Sequence, residues 1–194
     1  MIETKRLRVI PLTPEQFALF LNGINFMEDV LKLTPSGETL DAHTQEAMTC
    51  QYQLATKYPE SFPLLTSWQI ILKSENKAIG SACFKNLPDK EGNVEIGYGI
   101  YEAYRNQGYM SEALEGMCQW AFTQQGIQSV IAETEEKNVA SQRVLQKNGM
   151  KQYKESTNSI WWKLNKEKME NNKAMIIRQE TKEEYQEIYN LVKT

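Results

Sequence analysis

The sequence predicts a mixed α/β domain in which one mixed sheet carries helices on its faces. Three observations predict it. β-type runs at Trp68–Leu72, Ala78–Phe84 and Val94–Ile100 follow one another across short turns, as antiparallel strands do. From Met110 the apolar period changes, and Met110, Ala113, Leu114, Met117 and Ala121 fall on one face of a helix. Beyond it, the order strand, helix, strand pair requires crossovers and hence a mixed sheet.

Taken in order, Arg6–Ile10 reads as a short strand. Thr13 then caps a helix with Pro14 at its first position and Glu15 in its first turn, and Phe17, Leu19, Phe20 and Leu21 supply the apolar side. A second helical piece spans Asn25–Leu33 and stops at Thr34-Pro35-Ser36-Gly37. A longer helix covers Leu40–Lys57, with Leu40, Ala47, Cys50 or Gln51, and Leu54 on one side. His43 lies on it with no partner in view, an ordinary surface histidine. From Leu64 the signal becomes β. Ser74–Lys77 turns the first strand pair, and Asp89–Asn93 leads into Val94–Ile100. Ser129–Thr134 is a strand, Asn138 begins a helix that ends at Asn148-Gly149, and Met150–Lys154 pairs with Ile160–Leu164.

At 194 residues the chain can bury one full core with a small appendage. Its 41% hydrophobic and 24% charged content is ordinary for a soluble domain, and a net charge of −3 argues against a nucleic-acid surface. No apolar run approaches the ~20 residues that span a bilayer. No signal peptide is visible at Met1–Ile10, so the expectation is a cytoplasmic protein without a membrane partner. Cys50, Cys83 and Cys118 are far apart and read as small buried hydrophobes in a reducing compartment. With a single histidine, no metal site is expected.

The informative stretch runs from Val94 to Ala113. Gly97 and Gly99 interrupt a strand that they should weaken, which suggests a bulge or the close approach of a ligand. The loop Arg105–Gly108 then enters a helix N-terminus, where unpaired N–H groups and partial positive charge favour an anion. It is no P-loop, because no Gly-Lys-Ser/Thr follows. It is no dinucleotide fingerprint either, because Glu102 stands where a third glycine belongs.

What remains, Arg105-x-x-Gly108-x-Met110 after a glycine-broken strand, resembles the Arg/Gln-x-x-Gly-x-Gly/Ala pyrophosphate loop of the Gcn5-related N-acetyltransferase (GNAT) superfamily. Met110 departs from its last position. Asn138-x-x-Ser141-x-Arg143-Val144-Leu145-x-Lys147-x-Gly149-Met150 is similar to a second segment of the same superfamily. Its serine looks most like the branch of the ribosomal-protein N-terminal acetyltransferases (RimJ/RimL-like), as does the opening Glu3-Thr4-Lys5-Arg6-Leu7-Arg8. The resemblance covers residues 2–164.

The resemblance implies the acyl-CoA N-acyltransferase fold, a twisted and mostly antiparallel central sheet with helices on both faces. It implies acetyl-CoA as co-substrate, held by backbone groups of Tyr98, Gly99 and Ile100 along the pantetheine. Arg105, Asn106, Gln107, Gly108, Tyr109 and Met110 would hold the pyrophosphate, and Asn138 the pantetheine side. The acceptor would be an amine, on a protein N-terminus or a small molecule, and it must be neutral to attack. From ordinary pKa values of about 10.4 for lysine and about 8 for an α-amine, that costs about 4 or about 1.4 kcal/mol at pH 7. Glu95 is the candidate base and Ser141 the candidate acid for the leaving thiolate. Leu145 stands where many superfamily members carry a tyrosine acid. No cysteine lies in either motif, so attack is expected to be direct. The alternative is a non-catalytic acyl-CoA-binding regulatory domain on the same fold.

Residues 1–164 are thus the expected acetyltransferase domain, and 165–173 a polar linker. In 174–194, Met175–Tyr185 echoes Leu7–Phe17. The tail reads as the opening strand and helix of a second such domain, or as a terminal helix docked on the first. The acceptor's identity and the oligomeric state, a homodimer included, stay open.

Overall fold

Apolar positions set most of the eight strands. These are β1 (Ile2–Glu3), β2 (Leu7–Pro11), β3 (Trp68–Leu72), β4 (Lys77–Phe84), β5 (Asn93–Ile100), β6 (Ser129–Glu135), β7 (Lys151–Ser156) and β8 (Ser159–Asn165). In the computed structural model, which describes residues 1–169, they form one sheet in the order β1-β2-β3-β4-β5-β6-β8-β7. β5 and β6 run parallel; every other neighbouring pair is antiparallel.

The helices are α1 (Pro14–Asn22), α2 (Ile24–Val30), α3 (Ala42–Lys57), α4 (Phe62–Leu65), α5 (Tyr109–Ala121) and α6 (Val139–Lys147). α5 buries Met110, Ala113, Leu114, Met117, Cys118 and Ala121 against β2–β6, in one core with Leu145 of α6. Each large apolar side chain there contributes on the order of 1.5–3 kcal/mol. α1 to α4 build a second core around Phe17, Phe20, Met27 and Leu65. The helices thus fall into two separate cores, as the resemblance implied for the two faces. Among the described residues no helix is long and apolar enough to cross a membrane.

Several local expectations change. α3 starts at Ala42 and buries Gln51 and Ala55, so Ala47 and Cys50 face solvent. The apolar residues of α3 are too sparse for the period to be read unaided, and the bonds from Gln51 Nε2 to the Leu65 and Phe84 carbonyls select the inner face. Cys50 is therefore not a buried hydrophobe. α2 ends at Val30, where Lys32 turns to φ 54°. Leu64 and Leu65 close the short helix α4 before β3 begins. The bulge expected at Gly97 and Gly99 is absent; β5 pairs with β4 in unbroken register, and the irregularity lies between Ile70 and Ile71 of β3. The steric demand sits on β4 instead, where a Cβ on Gly80 would lie 2.3 Å from the Gly99 carbonyl oxygen. Asn165 belongs to β8 and residues 166–169 are helical; the tail at 174–194 lies outside the described residues.

Candidate active site

The parallel pairing of β5 with β6 stops at Glu95 opposite Ile131, although both strands run on, to Ile100 and Glu135. Past that point each strand pairs only with its outer neighbour, β4 or β8, and a wedge opens between them. Alternation decides which groups line the wedge. The Glu95 carbonyl accepts from Lys85 N–H and the Ile79 carbonyl from Tyr101 N–H, both on the β4 side. Main-chain groups of Gly97 and Gly99 therefore also point to β4, and those of Tyr98 and Ile100 point into the wedge. Gly99 contributes no wedge-facing main-chain group, against expectation. What it contributes is an absent side chain, since a Cβ there would meet nothing within 4 Å.

The outer end of β5 leads to the loop. Asn106 (φ 59°) and Gly108 (φ 79°) are both left-handed, and Gly108 is the N-cap of α5 without any side-chain cap. This succession turns the N–H groups of Asn106 to Ser111 outward, and none has an acceptor among the described residues. The Met110 side chain lies in the core, 5% exposed. Its departure from the family pattern thus leaves the loop surface unchanged. The Arg105 side chain is exposed and makes no hydrogen bond or ion pair with the described residues, while its N–H donates to the Glu102 carbonyl.

Arg6 was not singled out from the sequence as a site residue. Its Nη1 donates to the Gln107 carbonyl at 3.0 Å, and its guanidinium lies 4.3 Å from the Tyr109 ring centre. Nε bonds Glu112 Oε2 at 2.7 Å; the Arg6 N–H and the Thr4 hydroxyl reach Oε1 at 2.7 and 2.6 Å. Burial works against the Glu112 charge, but these three donors outweigh it and hold the carboxyl below its ordinary range. The chain's opening segment thus straps the first turn of α5. Beside it, a cavity of about 220 Å³ is lined by Arg6, Gly108, Ser111, Glu112, Glu115 and Lys147 with Asn148. It touches the loop but not the wedge. The opening Thr4-Lys5-Arg6 was the available signal, yet its partner lies 106 residues away.

α6 enters the wedge from the other side. Asn138 caps it through Oδ1, which accepts from Ser141 N–H at 3.1 Å, so that oxygen is spent and Nδ2 has no partner among the described residues. Ser141 Oγ lies 2.8 Å from the Tyr98 hydroxyl. Burial pushes the Tyr98 phenol up to about 12, although its hydrogen bond with Ser141 works the other way. Glu95 is on the opposite sheet face from the Tyr98 side chain, with Lys85 Nζ 2.6 Å from its Oε1. The structure therefore joins Tyr98 to Ser141, which Asn138 caps, and places Glu95 on the other face of the sheet. Burial raises the Cys83 and Cys118 thiols to about 11 and about 12, which suits inert core residues. No group of three or more His, Cys, Asp or Glu among the described residues could hold a metal ion.

Comparison with known proteins agrees with this geometry. The family model for the acetyltransferase (GNAT) domain matches residues 6–151. The chain is 32% identical over 83 residues to the uncharacterized N-acetyltransferase YjdG of Bacillus subtilis, covering 43% of this chain and 49% of that one. It is 33% identical over 92 residues to YnaD of the same organism, covering 47% and 50%. The chain thus spans about half the length of the curated relatives it matches. Its fold is shared with the ribosomal-protein-S5-alanine acetyltransferase of Vibrio fischeri (TM-score 0.62, 21% identity, 84% of this chain and 94% of that one). It is also shared with RimL, a ribosomal L7/L12 α-N-protein acetyltransferase in complex with coenzyme A (TM-score 0.59, 14% identity, 84% and 95%).

Proposed function

The chain belongs to the GNAT acetyltransferase family, and from that premise we propose that it transfers acetyl from acetyl-CoA to a primary amine by direct attack. One observation carries the reading. Open main-chain groups at Tyr98 and Ile100, at the end of β5, are followed within a few residues by the uncapped N–H groups of Asn106–Ser111. A pantetheine chain adds to such an edge as a strand would. Its diphosphate fits consecutive N–H donors at a helix N-terminus, with Arg105 free to add charge.

The chemistry follows from position. The Tyr98 N–H faces the wedge and is the available donor for the oxyanion that forms as the amine attacks. The amine approaches from the Glu95 face, where Gly99 leaves the strand bare while the Lys85 side chain lies over Gly97. Its nitrogen loses a proton as the C–N bond forms. The C–S bond breaks on the side where Ser141 stands, and the sulfur leaves with a hydrogen bond from that hydroxyl. The acceptor is a protein N-terminus or a small amine. The names of the relatives, acetyltransferases of ribosomal-protein N-termini among them, favour the first. The alternative, an acyl-CoA-binding regulatory domain, draws on one observation, that Lys85 Nζ already occupies the Glu95 carboxylate.

Two measurements separate these. Calorimetric titration with acetyl-CoA should give a micromolar Kd that weakens in Arg105→Glu. Free-thiol release is then followed over a panel of peptides and small amines. Binding with no release on any amine would leave the regulatory reading, and no binding would sink both.

A further inference from the structure

We infer, resting on the acetyl-transfer reading above, that Tyr98 is a positioning residue for the leaving sulfur: its phenol donates to Ser141 Oγ and turns the Ser141 O–H into the wedge. Tyr98 lies three positions beyond Glu95, the last residue of β5 to pair with β6, and its side chain reaches Ser141 on the helix that follows β6. This hydrogen bond spans the wedge. The two oxygens within reach of the phenol both belong to Ser141: Oγ at 2.8 Å, where either hydroxyl can donate, and the main-chain carbonyl at 3.4 Å, which can only accept, so the phenolic proton points at α6.

A helix serine ordinarily donates to the carbonyl one turn back. Thr49 and Thr56 do so here, to Gln45 and Tyr52. Ser141 makes no such bond among the described residues. With the phenol donating to its oxygen, its own proton is left over, and a chain of two hydroxyls is a stronger donor than either alone.

Proton balance sets the role. A thiol near about pKa 8.5 releases its proton more readily than a phenol raised to about 12. Tyr98 therefore keeps its proton throughout, Ser141 gives a hydrogen bond as the C–S bond breaks, and the sulfur's final proton is the one released by the amine. The phenol directs; it does not titrate.

The test compares Tyr98→Phe, Ser141→Ala and the double variant, each followed by acetyl-CoA binding and by steady-state thiol release. Tyr98→Phe should lower kcat about three- to tenfold, the scale of one neutral hydrogen bond, with acetyl-CoA affinity within twofold of the parent. In the Ser141→Ala background the same change should cost nothing further, because the hydroxyl it directs is gone. Unimpaired kcat in Tyr98→Phe overturns the inference, as does an equal loss in both backgrounds, which would mark a packing role. A parent chain that binds acetyl-CoA but acetylates no amine overturns the acetyl-transfer reading first, and this inference with it.

Discussion

The N-termini of α1 and α5 present the same group of orphan N–H donors and treat them in opposite ways. At α1, Thr13 accepts from Gln16 N–H and the Gln16 side chain accepts from Thr13 N–H, a reciprocal box closed within four residues. At α5 the cap is Gly108, with no side chain to offer, in a left-handed conformation that aims the preceding N–H groups outward. The missing local cap is replaced by a distant strap, Thr4 and Arg6 on Glu112, which steadies the turn without occupying its donors. One terminus closes on itself, and the other leaves its donors open.

Substitutions can break that contrast. Glu112→Ala should have the largest effect. It strands three donors at a part-exposed site and should cost about 2 kcal/mol, lowering the melting temperature by about 4–8 °C. A shift below a degree would show that the strap is incidental. Gly108→Ala forces a Cβ into φ 79° with an ordinary 3.5 Å contact to the Arg6 guanidinium. Expected are about 1–2 kcal/mol of strain and acetyl-CoA binding weakened about tenfold by calorimetry, roughly the 1.4 kcal/mol of one decade. Thr13→Ala should cost about 1 kcal/mol in chemical denaturation and leave acetyl-CoA affinity unchanged. Equal loss of affinity there would deny that the two termini differ. Arg105→Glu should leave stability within about 0.5 kcal/mol while weakening acetyl-CoA binding, most of all at low salt.

Acid sharpens the same comparison. Because the folded Glu112 carboxyl titrates below the ordinary carboxylate range, its contribution is complete above that range and is lost as the pH falls through the folded value. Melting curves taken downward from pH 7 should therefore decline less steeply for Glu112→Gln than for the parent. Identical slopes would remove Glu112 from the strap's energetics.

The loop was legible because its signals are local. Arg105 to Met110 sits between a period-two strand and a period-3.6 helix, and Gly108 stands where a left-handed cap is needed. Ser141 and Asn138 were legible as a pair three residues apart, and the N-cap bond between them is what such spacing produces. Strand alternation puts Glu95 on the face opposite Tyr98, but its partner was not visible in the sequence. Lys85 meets it only because β4 and β5 pair in that register. The Gly97 and Gly99 signal pointed to the right strand for partly the wrong reason, since the close backbone approach falls at Gly80.

By itself, then, the sequence determined most of the elements, their order along the chain and the glycine turn that enters α5, because each depends on contacts within a few residues. The tertiary structure alone decided that β5 parts from β6 after Glu95, that Arg6 bonds the loop at Gln107, and that the Tyr98 phenol reaches Ser141. Those outcomes depend on which groups meet across 43 to 106 residues of chain. Packing of the two cores brings them together, and no local periodicity encodes that.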